Sequence, residues 1–163
     1  AGKTVRQGVE ASFDTAWRRD LSSRFAVSHL RAIYDEDFRT GNANTLVSAG
    51  KLMPGIPRTT VFGDLAWKVT PSITGTVEGV YRSKMYVEDT NGQLPAPSYF
   101  IANLRLTAQQ QAGAWRFTEF ARLDNLFDRN YVGSVVVGDA NGRYYEPAPG
   151  RNWMAGVNAR YTW

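Results

Sequence analysis

The 163-residue chain contains no cysteine and carries a net charge of +4, so neither a disulfide framework nor a thiolate metal site is available. Its Lys and Arg residues are scattered singly and no recognition motif accompanies them, which argues against nucleic acid as a partner. No stretch approaches about 18 consecutive apolar residues, which excludes a transmembrane helix; alternating strands escape that test because half of their residues face a wet side.

Period-two alternation runs through the chain and predicts strands. Thr4 to Trp17 sets Val5, Val9, Ala11, Phe13 and Trp17 against Arg6, Glu10, Ser12 and Asp14. Ser22 to Tyr34 holds two competing sets, Phe25 and Val27 against Ala26, Leu30 and Tyr34; the second set is expected outward, which sends His29 and Arg31 inward. After a long polar segment from Asp35 to Pro57, Thr60 to Val69 opposes Val61, Leu65 and Trp67 to Thr60, Asp64 and Lys68. Past the Thr70-Pro71-Ser72 turn, Ile73 to Met85 puts Ile73, Val77, Tyr81 and Met85 outward and Thr74, Thr76, Glu78, Arg82 and Lys84 inward.

A second polar connection, Glu88 to Ser98, leads to Phe100, Ala102, Leu104 and Leu106 opposing Asn103, Arg105 and Thr107. Beyond the Gln110 to Ala114 turn, Trp115, Phe117, Ala121 and Leu123 oppose Arg116, Thr118, Arg122 and Asp124, with Glu119 on the apolar side against the pattern. A third long connection, Asp128 to Gly150, precedes the terminal segment Arg151 to Trp163, where Trp153, Ala155, Val157, Ala159, Tyr161 and Trp163 share one face.

Short and long connections therefore alternate, as they do in membrane barrels with short periplasmic turns and long extracellular loops. The strands are long enough to cross a bilayer at a tilt. Trp17, Trp67, Trp115 and Trp163 all fall at short-turn ends, as an interfacial girdle requires. The inward charges are too many for a dry small interior and call for a wide, wet or plugged lumen. The pattern predicts an all-β chain: an antiparallel transmembrane β-barrel segment of about seven long meander strands.

Candidate chemistry is sparse. Ser28 and His29 are adjacent, so they project from opposite faces of a strand and cannot act as nucleophile and base together; no catalytic residue is assigned. Asp35, Glu36 and Asp37 lack the spacing of a calcium loop, and Met53, Met85 and Met154 are too dispersed for a thioether copper site, so no metal site or cofactor is expected. Asn125 and Asp128 read as a strand-end turn that bonds its own backbone. Arg143, Tyr144 and Tyr145 place cationic and aromatic groups together in the third long connection, suited either to an anionic ligand or to anchoring a hairpin at the interface.

Several stretches resemble the C-terminal part of TonB-dependent outer-membrane receptors. VRQGVEAS is similar to the family's strand opening, AGKLMPGIPRTTVFGDLAW to its loop-to-strand element, and RLDNLFDRNYVGSV to its signature, here Asn125, Leu126, Phe127, Asp128 and Tyr131. PGRNWMAGVNARYTW, with Tyr161 and the terminal Trp163, resembles the signal read by the barrel-assembly machinery; Asn158 departs from the glycine common there.

The resemblance implies a barrel of about 22 strands filled by an N-terminal plug, importing a scarce ligand of the ferric siderophore type with energy from an inner-membrane TonB complex. On that reading residues 1–163 are the C-terminal part of the barrel, with the plug and the TonB-contacting region outside them, seated in outer-membrane lipid of a Gram-negative cell. The chain would supply barrel wall, extracellular loops and the assembly strand, and would not be an enzyme. The alternative is a self-contained small outer-membrane barrel acting as an enzyme or adhesin, which needs an even number of strands.

Overall fold

A computed structural model describes residues 2–40 and 44–163. Its strands are β1 (Thr4–Arg18), β2 (Leu21–Tyr34), β3 (Phe38–Thr40), β4 (Thr45–Val47), β5 (Thr59–Thr70), β6 (Ile73–Arg82), β7 (Tyr99–Ala112), β8 (Trp115–Asp124), β9 (Val132–Val135), β10 (Tyr145–Pro147) and β11 (Asn152–Tyr161). Seven of these form one antiparallel sheet in the order β1-β2-β5-β6-β7-β8-β11, while β3–β4 and β9–β10 are small separate hairpins inside long connections. The meander predicted from alternation is thus present, and the first and third long connections carry secondary structure that their polar composition concealed.

Directly paired residues of an antiparallel sheet share a face, so the register fixes which side each residue takes. One face collects Val9, Phe13, Phe25, Leu65, Trp67, Val77, Leu104, Leu106, Phe117, Leu123, Trp153 and Val157. Most of these side chains stay open to the surroundings, Val9 at 72% and Trp153 at 79% exposure, so among the described residues no layer packs against this face. The other face carries Arg6, Glu10, Asp14, Arg24, Asp64, Lys68, Glu78, Arg82, Arg105, Arg116, Arg122, Asp124 and Arg160. A sheet that exposes apolar side chains on one side and ions on the other is built for two different media.

β2 departs from the expected orientation. Phe25 pairs with Phe13, Val27 with Ala11 and His29 with Val9, so Phe25, Val27, His29 and Arg31 lie on the apolar side and Ala26, Leu30 and Tyr34 on the polar side. The physical reason is Arg24: the register that places it between Asp14 and Asp64 leaves Phe25 facing out. Met85 also differs, because β6 stops at Arg82 and Met85 turns into the loop end as a bridge partner of Ala96 at 4% exposure. Glu119 does lie on the apolar side, where it accepts hydrogen bonds from Gln110 Nε2 at 3.0 and 3.2 Å, one rung nearer the short turns.

The short-turn end is aromatic. Trp115 packs against Tyr161 and Tyr161 against Trp163, each with centroids 5.1 Å apart. Trp17 Nε1 donates to Ser23 Oγ and Trp67 Nε1 to Asp20 Oδ2, so these indoles present an apolar body and a polar tip, as interfacial tryptophans do. The packed core lies at the opposite end: Ala32, Tyr34, Val47, Met85, Val87, Ala96 and Tyr99 are buried where the long connections meet the strand ends.

Gly8 sets how closely β1 and β2 approach. A Cβ there would lie 2.6 Å from the His29 carbonyl oxygen and 3.2 Å from Leu30 Cα, both backbone atoms. Gly8→Ala is expected to force the hairpin apart at a cost of about 1 to 3 kcal/mol. Faster amide hydrogen exchange in β1 and β2 in detergent, with β7 and β8 unchanged, is the measurement that checks it.

Candidate functional site at the long-loop end

The three long connections are held to one another as a platform. Tyr34, at the end of β2, donates its hydroxyl to Asp89 Oδ1 at 2.7 Å. Asn91 takes a positive φ of 55°, and its side chain pairs reciprocally with the Leu52 backbone, accepting from its N–H and donating to its carbonyl, both at 2.8 Å. Gly55 N–H donates to the Tyr86 carbonyl and Gly138 N–H to the Val87 carbonyl, each at 2.9 Å, so the first and third connections both grip the second. Buried Val47, Val87 and Ala96 supply the apolar part of this junction.

Within the second connection Glu88 organises a tight turn. Its carboxylate accepts from the Thr90 N–H and hydroxyl, from the Gly92 N–H at 2.5 Å and from the Gln93 N–H at 3.1 Å. Partial burial alone would raise the Glu88 pKa, but these donors outweigh it and hold the carboxyl below its ordinary value.

The Asn125-to-Asp128 signature forms a clasp where β8 ends. Asn125 is 2% exposed with φ 52, and its side chain accepts from the Arg129 N–H and donates to the Arg129 carbonyl, at 2.9 and 2.8 Å. Leu126 N–H donates to the Ala102 carbonyl, while Phe127 projects outward at 69% exposure. Asp128 accepts from the Arg151 N–H at 2.8 Å, tying the turn to the start of β11. Tyr131 stacks obliquely on Tyr99 with centroids 4.4 Å apart. Burial, with a smaller contribution from Tyr99, raises the Tyr131 pKa and keeps its hydroxyl neutral.

Under the clasp, the polar face carries a network that sequence spacing does not display. Arg122 donates to Glu78 Oε1 at 3.2 Å and to Asp124 Oδ1 at 2.5 Å, Asn103 Nδ2 donates to the same Glu78 oxygen at 2.7 Å, and Asn103 Oδ1 accepts from the Asn125 N–H at 2.9 Å. Three neighbouring strands and the turn are thereby locked together. A cavity of about 340 Å³ beside it is lined by Asn103, Arg122, Asp124 and Tyr131, and a second of about 390 Å³ by Tyr99, Arg129, Tyr131 and Pro147. The residues converge from separate segments, which is why only Asn125 and Tyr131 stood out in the sequence.

The cationic and aromatic trio sits in the third connection. Arg143 is exposed, with its N–H bound to Asp139 Oδ2 at 2.8 Å and no ion pair among the described residues. Tyr144 is half-buried and meets Tyr145 edge-on at 6.3 Å. The Tyr145 hydroxyl donates to the Leu94 carbonyl at 2.6 Å, so this ring braces the second and third connections. The acidic run is also absorbed locally: Asp35 pairs with Lys3 at 3.0 Å and Asp37 accepts from the Ala49 N–H at 2.7 Å. Ser28 bonds Glu10 and His29 bonds Thr59, on opposite faces. No group of three or more His, Cys, Asp or Glu residues suited to a metal ion occurs among the described residues.

A sequence model of the family described as TonB dependent receptor-like, beta-barrel, matches residues 1–163. This chain belongs to that family. The structure of the siderophore receptor PiuA from Acinetobacter baumannii is similar over 98% of this chain and 22% of its own, at 18% identity and a TM-score of 0.79. The ferric-catecholate import receptor Fiu from E. coli K12 is similar over 99% of this chain and 21% of its own, at 18% identity and TM-score 0.73. The ferric yersiniabactin uptake receptor FyuA from Yersinia pestis is similar over 99% and 24%, at 21% identity and TM-score 0.71. The chain thus spans between a fifth and a quarter of the length of these receptors, and has the fold of that part of a TonB-dependent receptor barrel.

Two outcomes follow for this end of the receptor barrel. Asn125→Ala removes both side-chain bonds to the Arg129 backbone from a buried position and puts alanine at a positive φ, an expected loss of about 2 kcal/mol, read as a lowered melting temperature together with new proteolysis between Asn125 and Tyr131. Because the folded Glu88 carboxyl is held below its ordinary pKa of 4.5, its contribution is complete above that pH and is lost as pH falls through the folded pKa. Protection of Thr90 to Gln93 from hydrogen exchange, relative to the intrinsic rate at each pH, should therefore fall on acidification below about pH 4.5, whereas Glu88→Gln should show reduced protection already at pH 7.

Proposed function

We propose that this chain is the C-terminal part of the barrel of an outer-membrane receptor that imports a ferric siderophore or similar scarce iron chelate. In the intact receptor it would supply a stretch of barrel wall, three extracellular connections and the final strand. The plug and the region that contacts the TonB complex would lie elsewhere in that receptor. Outer-membrane lipid would meet the apolar face, and the aromatic end at Tyr161 and Trp163 would engage the barrel-assembly machinery.

The observation that carries this reading is the two-faced meander of long strands with a braced loop platform at only one end. It is supported by the family match and by the names of the similar receptors, which describe siderophore and ferric-chelate uptake. The self-contained small barrel is less well supported, since the sheet has seven strands among the described residues and an even number is usual.

Arg143, Tyr144 and Tyr145 are the groups we assign to the ligand. An exposed guanidinium beside two phenol rings suits an anionic chelate through charge-assisted hydrogen bonds and ring contact. Tyr145 holds the trio against the second connection, so its part includes keeping the other two in place.

The test is uptake of radiolabelled iron chelates by cells whose own receptors have been removed. The intact receptor is expected to give TonB-dependent uptake and the 163-residue chain alone none. Arg143→Ala should weaken binding of an anionic chelate by about tenfold while leaving the receptor's melting temperature unchanged. Energised uptake by the isolated chain would sink the proposal.

A further inference from the structure

Two Asn-Gly pairs occur in the sequence, Asn91-Gly92 in the second connection and Asn141-Gly142 in the turn between β9 and β10. Glycine after asparagine is a chemically vulnerable arrangement, because without a Cβ the following backbone nitrogen can swing onto the side-chain amide carbon. In the sequence the two pairs are equivalent. The fold separates them.

Asn91 is locked. Its side-chain oxygen accepts from the Leu52 N–H at 2.8 Å, and its amide nitrogen donates to the Leu52 and Glu88 carbonyls at 2.8 and 3.1 Å. The nitrogen that would attack is held as well, since the Gly92 N–H donates to Glu88 Oε1 and Thr90 Oγ1. Asn141 has neither restraint: residues 141–143 are exposed, its side chain forms no hydrogen bond among the described residues, and no atom would lie within 4 Å of a Cβ on Gly142, at φ 72. What holds this turn is Asp139, whose carbonyl accepts from the Gly142 N–H at 3.1 Å and whose Oδ2 accepts from the N–H groups of Asn141 and Arg143 at 3.1 and 2.8 Å. Backbone bonds in an exposed turn open far more readily than those of a packed junction.

We propose that Asn141 is a site of spontaneous deamidation that alters the neighbouring cationic and aromatic trio, while the fold protects Asn91. The Gly142 nitrogen gives up its proton to solvent and bonds to Asn141 Cγ; the Cγ–Nδ2 bond breaks, the side-chain nitrogen leaves as ammonia, and a succinimide ring closes. Water then opens the ring at Cγ to give aspartate, or at the main-chain carbonyl carbon to give isoaspartate. Nothing is oxidised or reduced. Either product sets a new carboxylate two positions before Arg143, and isoaspartate also lengthens the main chain inside the turn that Asp139 holds. The effect on a ligand rests on the assignment of Arg143 to an anionic chelate; the modification itself does not.

The experiment incubates the intact receptor in detergent at mildly alkaline pH and follows both sites by peptide mass spectrometry, reading conversion of amide to carboxylate. Asn141 is expected to convert at least about tenfold faster than Asn91 in the folded receptor, with the two rates converging in denaturant. Asp139→Ala, which removes two bonds from the turn, should speed conversion at Asn141 by about threefold or more and leave Asn91 unchanged. Equal rates in the folded receptor, or an Asn141 that stays an amide while the denatured control converts, would overturn the proposal.

Binding gives a separate readout, with ferric citrate or a ferric catecholate as the anionic probe, whichever the uptake assay selects. N141D should weaken binding about threefold, and the aged receptor should match or exceed that loss. N141Q, whose longer side chain closes the corresponding ring far more slowly, should keep its amide and its affinity through the same incubation. Conversion of Asn141 with no change in binding would overturn the assignment of Arg143 to the ligand and leave the modification standing.

Discussion

The sheet depends on one cross-strand rung. Asp14, Arg24, Asp64, Glu78 and Asn103 lie side by side on neighbouring strands, and their alignment decides the register of everything above and below them. Slipping a single strand by one residue would carry its ions onto the apolar side and its aromatics onto the wet side. Ions on a lipid-facing surface cost several kcal/mol near the bilayer midplane. The ionic rung and the apolar face therefore enforce the same pairing from opposite sides of the sheet.

A consequence is that this segment has almost no core of its own between secondary-structure layers. The apolar side chains that would form one, such as Phe13, Val77 and Trp153, point into the surroundings. Packing of the ordinary kind is confined to the long-loop end, where Val47, Met85, Val87 and Ala96 sit beneath a set of loop-to-loop hydrogen bonds. That division suits the proposed role. On that proposal membrane and lumen would stabilise the wall, while the bonds of Arg143 N–H to Asp139 and of the Tyr145 hydroxyl to the Leu94 carbonyl would hold the ligand-facing trio in place.

Alternation exposed most of the wall because it is a local property. Val9 beside Glu10, or Trp67 beside Lys68, needs no partner to reveal which face is which. β2 was the exception, since Phe25, Ala26 and Val27 are all apolar and only the pairing of Arg24 with Asp64 breaks the tie. Met85 misled for a related reason: it continued the period of β6 but follows the bend after Arg82 into the loop core. The braces by Asn91, Tyr34 and Glu88 were invisible because each joins groups whose meeting depends on how the loops fold back.

The sequence by itself determined the class of the molecule: long alternating strands, short turns alternating with long connections, aromatics at the short-turn ends, and a signature from Asn125 to Tyr131 that names a receptor family. These are features of spacing and residue type, and they survive without knowing any contact. Only the tertiary structure decided that Asn125 is a buried clasp, that Tyr145 is a brace as well as a ring in the third connection, and that Arg116 and Arg160 stand directly opposed. Such facts depend on register and loop closure, which bring together residues that no local pattern connects.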